Sequence, residues 1–132
     1  MTASRKIAAD VVAQLADLGI PATIHPTDPK RWTVRPDWPT IPGRWHHDAA
    51  CRWHIDEDLW FPVHGSGLGG EGRYAAACAD AATICAGCPV RAACATVAIT
   101  TRADHGVWGG LTTEDRATIR AAVAPGTKAG AS

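Results

Sequence analysis

Large apolar side chains other than tryptophan are scarce in this 132-residue sequence. It contains one phenylalanine, one tyrosine and one methionine, and much of its 46% apolar fraction is alanine. A chain of this length is expected to form one domain, but these residues can build only a small hydrophobic core. Small domains often gain stability from a bound metal, because metal binding is coupled to folding.

The sequence also lacks net charge and long apolar runs. Thirteen basic and thirteen acidic residues cancel, which disfavours nucleic-acid binding through an overall positive field. No stretch approaches the roughly 20 apolar residues of a membrane-spanning helix. Asp10, Gln14 and Asp17 interrupt the N-terminal segment where a signal peptide would be apolar. Five cysteines are an odd number, which disfavours a secreted disulfide scaffold, so we expect a cytoplasmic protein with reduced thiols.

Three of the cysteines are spaced as metal ligands. Cys85, Cys88 and Cys94 follow a C-x2-C-x5-C pattern. Alanines precede Cys85 and Pro89 suits the first turn of a helix, so the first two cysteines are expected to straddle a turn between two helices. Cys94 would then face back toward that turn. Free amide N–H groups at the start of the second helix are expected to point at the thiolates and to favour their negative charge.

A fourth ligand has two candidates among the cysteines. Cys51 lies far upstream, whereas Cys78 lies seven residues before Cys85 in an alanine-rich segment, 73–82, that is expected to be helical. Residues seven apart share a helix face, so Cys78 would come near the other thiols without reaching them. Four cysteines suffice for a metal site, so the histidines are weaker candidates. These are His46, His47, His54 and His64.

Short motifs follow one another between Trp45 and Val123. They are Asp48-Ala49-Ala50-Cys51, Asp58-Leu59-Trp60-Phe61-Pro62, the three clustered cysteines with Pro89-Val90, Gly106-Val107-Trp108-Gly109-Gly110-Leu111, and Thr113-Glu114-Asp115-Arg116. This ordered set resembles the WhiB-like family of actinobacterial iron-sulfur transcription regulators and their phage relatives. The resemblance implies one 4Fe-4S cluster per chain, with Cys51 in the family's position for the fourth ligand. The implied ligands are Cys51, Cys85, Cys88 and Cys94.

The resemblance also implies how the protein acts. Such proteins bind the C-terminal domain of the primary sigma factor within RNA polymerase, and their cluster can be destroyed by nitric oxide or oxygen. We therefore expect a redox-responsive or nitric-oxide-responsive regulator, not an enzyme with a small-molecule substrate. Two alternatives stay open. One is a protein disulfide reductase that uses the Cys85 and Cys88 dithiol of the apo form, and the other is a structural zinc module, since four thiolates also suit tetrahedral zinc.

The turn around Trp108 is expected to present its indole to a partner. Gly109 and Gly110 permit backbone geometries closed to other residues and offer no side chain to cover the ring. In the resemblance, this turn and the aromatic pair before Pro62 form the surface that meets the sigma factor. The expected partner-binding residues are Trp60, Phe61, Pro62, Trp108, Gly109 and Gly110.

A final helix is expected after this turn, capped by Thr112 or Thr113. Ile119 would face the core at helical spacing. Arg116 and Arg120 would lie outward, where they are expected to contact promoter DNA weakly once the sigma factor has brought the protein there.

The first 43 residues are expected to stand apart from the cysteine-bearing domain. Ser4 is a suitable N-cap for an amphipathic helix that ends at Gly19. Six of the nine prolines fall between Gly19 and Gly43, which predicts an extended linker. Tryptophans there either fasten the linker to the domain or stack on nucleic-acid bases. The predicted architecture is all-α, with a helix and linker at 1–43, an iron-sulfur domain at 44–124 and a flexible tail at 125–132.

Overall fold

The computed structural model describes residues 4–28, 31–53, 60–62, 70–103 and 105–123. Within these residues the chain forms four helices, α1 (Arg5–Asp17), α2 (Gly70–Ala86), α3 (Arg91–Thr100) and α4 (Thr113–Ala122). Two short 3₁₀ helices are Trp45–Asp48 and Ala50–Trp53, and two antiparallel strands are β1 (Ala22–Asp28) and β2 (Arg31–Pro36). The protein is mostly helical, so the prediction of a purely all-α fold is wrong for the β1–β2 segment.

Some of the sequence predictions fall outside the described residues. These are the tail at 125–132, the Asp58-Leu59 half of the aromatic motif, and the histidines at 54 and 64. In the part of the chain that the structure describes, no helix is long and apolar enough to span a membrane.

Helix α1 begins and ends where the sequence indicates. The Ser4 side chain accepts a hydrogen bond from the Ile7 N–H at 3.2 Å, as an N-cap residue does. Gly19 has a φ of +86°, which lets the chain turn away from the helix end. Leu15 is fully buried, but Ile7 is 44% exposed because its neighbour Ala8 takes the core position instead.

The expectation of an extended linker after α1 is wrong for residues 22–36. Strands β1 and β2 form a hairpin in which Ile24 lies opposite Val34 and Thr23 lies opposite Arg35. Proline does not prevent this pairing, because Pro26 lies next to an irregularity in the register, where sheets tolerate proline.

One hydrophobic core joins the N-terminal elements to α3 and α4. Its buried members are Ala8, Val11, Leu15, Leu18, Ile20, Val34, Ala95, Ile99, Leu111, Ile119 and Ala122. Trp32 and Trp38 pack against this core, as expected if they fasten the segment to the domain. Val34 of β2 also bridges to Val123, just after α4. The N-terminal helix and hairpin are therefore packed into the domain and are not a loosely attached appendage.

A second, smaller core lies on α2, whose alanine-rich sequence is helical as predicted. Its buried members are Trp60, Cys78, Ala81, Cys85 and Val107. Tyr74 of α2 donates a hydrogen bond to the Glu114 carboxylate at 3.1 Å. Since Glu114 lies in the first turn of α4, this bond links the ends of two helices that are distant in the chain.

Helix α4 starts with a capping box. The Thr112 hydroxyl accepts from the Asp115 N–H at 3.1 Å, and the Asp115 carboxylate accepts from the Thr112 N–H at 3.0 Å. Ile119 is fully buried, as its spacing predicts. The prediction that Arg116 lies outward is wrong, because this residue is 0% exposed.

Candidate metal centre

Four cysteine thiols border a single cavity of about 330 Å³. Cys85 lies in the last turn of α2, Cys88 in the turn that follows, Cys94 in α3 and Cys51 in the second 3₁₀ helix. Apolar and aromatic residues complete the wall. They are Trp45, Ala49, Trp60, Phe61, Ile84, Val107 and Trp108.

The turn between α2 and α3 explains how three of these thiols meet. The Cys88 N–H donates to the Cys85 carbonyl at 3.0 Å, and the Cys94 N–H donates to the Val90 carbonyl at 2.8 Å. Each bond turns the backbone so that the next cysteine returns to the same side. The sequence prediction that the CxxC pair straddles a helix-to-helix turn is therefore confirmed.

The sequence indicated that N–H groups at the start of α3 point at the thiols, but the Arg91 N–H donates to the Cys88 carbonyl at 3.3 Å. The Cys88 thiol instead accepts from the Ala50 N–H at 3.3 Å, and the Cys94 thiol accepts from the backbone of Gly109. Donors from separate segments of the chain thus converge on the cysteines.

Burial makes two of the thiols, Cys94 and Cys51, harder to ionise. Burial, with the charge of Cys85 added to it, raises the pKa of Cys94 to about 12, although the Gly109 hydrogen bond opposes the rise. The pKa of Cys51 is also raised, first by partial burial at the cavity rim and then by the charges of Cys85 and Cys88, even though its side chain is exposed at the surface. Because like charges oppose one another, placing a cationic group among these thiols would be coupled to proton release.

The donor set fits a metal group that is bound by thiolates. Within the described residues, no three side chains of His, Cys, Asp or Glu are grouped to hold a metal ion directly. A cavity of about 330 Å³ is roughly ten times the share of one water molecule in the liquid, about 30 Å³. Four thiolates are the ligand set of iron-sulfur clusters as well as of zinc.

The fifth cysteine, Cys78, does not border this cavity. It is 7% exposed and belongs to the smaller core on α2. Burial raises the pKa of its thiol, and a hydrogen bond with Tyr74 opposes that rise. The sequence left Cys51 and Cys78 as candidates for the fourth position, and the structure brings Cys51 to the other three.

The glycine pair after Trp108 lets this turn approach α3. Trp108 and Leu111 exchange backbone hydrogen bonds of 3.1 and 3.0 Å, and Gly109 and Gly110 have φ values of +61° and +84°. Positive φ at both central residues is what a tight two-residue hairpin requires. A Cβ on Gly109 would lie only 2.8 Å from the Cβ of Ala95, so a larger residue would push the turn away from the cavity.

The Trp108 side chain is more buried than the adjacent glycines in the sequence suggest. Its ring is half-buried and lines the cavity. Its indole N–H donates to the His105 carbonyl at 2.8 Å, which fixes the ring against its own chain.

The two aromatic residues before Pro62, Trp60 and Phe61, differ in their exposure to solvent. Phe61 is 53% exposed, as expected of a partner-binding residue, but Trp60 is only 6% exposed. The Trp60 indole N–H donates to the Cys85 Sγ at 3.4 Å. Trp60 therefore belongs to the cysteine site, and its assignment to the exposed surface is wrong.

The two arginines that were expected to meet DNA instead bond to backbone carbonyls. Arg116 donates to the carbonyls of Gly106, Leu111, Ala103 and His105 at 2.8, 2.8, 3.1 and 3.3 Å. Arg120 donates to the carbonyls of Ile99, Ala98 and Ala103 at 2.9, 3.0 and 3.3 Å. Burial and the nearby Arg120 charge lower the pKa of Arg116. These guanidinium groups hold the end of α3 and the loop before the Trp108 turn.

Sequence reasoning missed Arg91, which also borders the cavity. Its Nε donates to the Gly109 carbonyl at 3.1 Å, and one of its terminal nitrogens pairs with the Asp17 carboxylate at 3.2 Å. The signal was available, because Arg91 precedes Cys94 by three residues and residues at that spacing share a helix face.

The fold and site together define a class of protein, namely a small, mostly helical domain with four cysteine thiols around one cavity. Comparison with known families matches residues 45–119 to the family described as Transcription factor WhiB. This match spans more than half of the chain, and the chain belongs to the WhiB family. The resemblance seen in the motifs is thereby confirmed.

Similar proteins carry the same family name. The chain is 40% identical over 76 residues to the transcriptional regulator WhiB1 of Mycobacterium tuberculosis, covering 58% of this chain and 83% of that protein. It is 41% identical over 86 residues to the transcriptional regulator WhiD of Streptomyces coelicolor, covering 61% and 73%. It is 37% identical over 76 residues to WhiB1 of Bifidobacterium longum, covering 58% and 76%.

Proposed function

We propose that this protein is an iron-sulfur-dependent transcription regulator that holds one 4Fe-4S cluster on Cys51, Cys85, Cys88 and Cys94. The observation that carries the proposal is the grouping of these four thiols around one cavity, which Cys78 does not border. Names of similar proteins, all transcriptional regulators, support the regulatory part.

The chain's own residues would hold and shield the bound group. Backbone N–H groups of Ala50 and Gly109 would stabilise the negative thiolates of Cys88 and Cys94. Apolar walls around the thiols limit water access, which helps to set redox behaviour. When bound, such a cluster supplies sensitivity to oxidants and nitric oxide.

The partner proposed for this regulator is the C-terminal domain of the primary sigma factor in RNA polymerase. Support comes from Phe61, which is 53% exposed on the outer side of the cavity wall. Phe61 contacts the start of the Trp108 turn, since a Cβ on Gly106 would lie 2.8 Å from its ring. Exposed Phe61 and half-buried Trp108 thus border one cavity, and aromatic residues are common in interface hot spots.

Contact with promoter DNA is proposed to occur after the sigma factor has delivered the protein. The overall charge of zero supports an assisted mode, because unaided binding relies on phosphate neutralisation. Arg116 is excluded from this contact by its burial.

Metal analysis of anaerobically purified protein tests the cluster. We expect about one 4Fe-4S cluster per chain, with iron and labile sulfide in equal amounts. Serine substitution at Cys51, Cys85, Cys88 or Cys94 should abolish or strongly impair assembly. Cys78→Ser is the matched control and should keep the cluster. Zinc without sulfide would overturn the iron-sulfur proposal in favour of a structural zinc module, and a metal-free protein with disulfide reductase activity would favour the dithiol alternative.

Capture of the purified sigma-factor domain tests the partner. Phe61→Ala and Trp108→Ala should keep the cluster but weaken capture at least tenfold, which is about 1.4 kcal/mol. Ile7→Ala removes another exposed apolar side chain, on α1, and should bind like the parent. A cluster-loaded parent that shows no binding, or variants that bind as well as the parent, would contradict the sigma-factor proposal.

A further inference from the structure

Trp60 is held firmly between the cysteine site and the Trp108 loop. Its side chain is 6% exposed, and its indole N–H donates to the Cys85 Sγ at 3.4 Å. Its carbonyl accepts a hydrogen bond from the Val107 N–H at 2.6 Å. Gly106 leaves no room beside it, since a Cβ there would lie 2.9 Å from the Trp60 carbonyl oxygen. The backbone on one side and the cavity wall on the other thus fix the direction of the N–H.

The chemistry of this contact depends on the charge of the sulfur. An indole N–H is a donor only, and a neutral thiol is a weak acceptor for it. A thiolate is a much better acceptor, because hydrogen bonds to ionised groups are stronger than those between neutral groups. The Trp60–Cys85 bond therefore gains most when Cys85 ligates a metal group as a thiolate.

Hydrogen bonds to ligand sulfurs are one of the means by which a protein sets the potential of an iron-sulfur cluster. The added electron of the reduced state increases negative charge on the thiolates, and a donor aimed at a sulfur stabilises that state more than the oxidised one. Such a donor raises the reduction potential, and its removal lowers it.

We propose that Trp60 is a positioning residue that raises the reduction potential of the metal centre by donating its indole N–H to the Cys85 thiolate. This inference rests on the proposed iron-sulfur function. Cys88 and Cys94 accept from backbone groups of Ala50 and Gly109, which a side-chain substitution leaves in place. Trp60 donates from its side chain, so a substitution can remove its bond to the Cys85 thiol while the backbone donors stay in place.

A potentiometric titration of reconstituted protein tests the inference. Trp60→Phe keeps a buried aromatic ring and removes the N–H, with dithionite supplying the single electron in both proteins. The equilibrium constant for reduction should fall about tenfold, which corresponds to about 59 mV for one electron. Trp38→Phe is the matched control, because the Trp38 indole N–H has no hydrogen-bond partner among the described residues and its ring packs against the larger core, not against the cavity. Its potential should stay close to that of the parent.

A second measurement detects the contact in the parent sequence itself. Protein labelled with indole ¹⁵N should show a ¹⁵N hyperfine coupling to the reduced paramagnetic cluster by pulsed EPR, and the equally labelled Trp60→Phe protein should lose the coupling that comes from Trp60. An unchanged potential in a cluster-loaded Trp60→Phe protein, or no indole nitrogen coupling in the labelled protein, would overturn the role of Trp60 while leaving the cluster proposal intact. A parent protein that assembles no iron-sulfur cluster would instead overturn the proposed function itself.

Discussion

Replacement of Arg116 is expected to destabilise the whole domain. In Arg116→Ala, four backbone carbonyls lose their guanidinium donor at once, and a fully buried side-chain volume is emptied. The bond to the Leu111 carbonyl is buried, and although this carbonyl keeps its bond from the Trp108 N–H, it loses a hydrogen bond to a charged donor, which is worth about 1.5–3 kcal/mol. The other three bonds are partly buried, so water can replace some of their energy.

Two effects act in the opposite direction. Substitution removes a cation that is costly to bury, and the Arg116 Nε has no hydrogen-bond partner among the described residues, so nothing is lost there. We expect a net loss of about 3–5 kcal/mol in the free energy of unfolding. That is a large part of the ~5–15 kcal/mol by which native domains are usually stable.

Urea unfolding followed by far-UV circular dichroism measures this loss. With a slope of about 1–3 kcal/mol per molar urea, the midpoint should fall by roughly 1–5 M at an unchanged slope. Arg116→Lys keeps the charge but cannot reach several carbonyls in fixed directions, so its midpoint should lie between those of parent and Arg116→Ala. Arg44→Ala removes an exposed arginine and should unfold like the parent. A variant Arg116→Ala that is as stable as the parent but binds promoter complexes poorly would refute this reasoning and restore the outward, DNA-contacting arginine.

Three further outcomes follow from the packing and the thiol environment. Leu15→Ala should lower the free energy of unfolding in urea by about 2–5 kcal/mol, because Leu15 is fully buried. Ile7→Ala on the same helix should change it little, because Ile7 is 44% exposed. Equal effects would show that α1 is a peripheral element. Gly109→Ala should lower thermal stability, because the positive φ of Gly109 costs another residue about 1–3 kcal/mol and the new Cβ would clash with Ala95. Gly87→Ala should not, because its Cβ would meet only a carbonyl at 4.0 Å. The pKa of Cys94 is raised to about 12, so folding favours its neutral thiol, and the apo protein should lose stability as the pH rises from about 9 toward 12. Cys94→Ser does not titrate in this range and should flatten the pH dependence of the urea midpoint. A midpoint that depends on pH equally in parent and variant would contradict this expectation.

The sequence predicted the helix-to-helix turn at Cys85 and Cys88 because the spacing of these cysteines is a local property. A CxxC pair followed by Pro89 and a cysteine five residues later fixes a helix-to-helix turn, whatever the rest of the chain does. The caps of α1 and α4 were predictable for the same reason, since Ser4 and Thr112 act on N–H groups within three residues. The family was readable from motifs in a fixed order.

The errors arose where long-range packing decides the outcome. Prolines in the segment after α1 suggested a linker, yet alternating Ile24, Trp32 and Val34 pack into the core, and an antiparallel hairpin tolerates proline at an irregular position. Arg116 and Arg120 looked like surface charges, because helical spacing cannot reveal that carbonyls of the end of α3 and of the loop after it accept hydrogen bonds from them. The direction of the Trp60 ring was equally invisible, since it depends on where a distant helix places Cys85.

Arg91 explains why the segment upstream of the family match belongs to the site. Its guanidinium contacts the Gly109 carbonyl on one side and the end of α1 at Asp17 on the other. Gly109 in turn donates to the Cys94 thiol, so the path from α1 to a thiol of the cavity runs through one side chain and one peptide unit. The family match begins at residue 45, and Asp17 lies outside it. The pair is partly exposed, with 24% of the arginine and 75% of the aspartate side chain open to solvent, so its attraction alone contributes little. Its importance is geometric, because the shared core already holds α1 in place and Arg91 converts that fixed position into a fixed Gly109 turn.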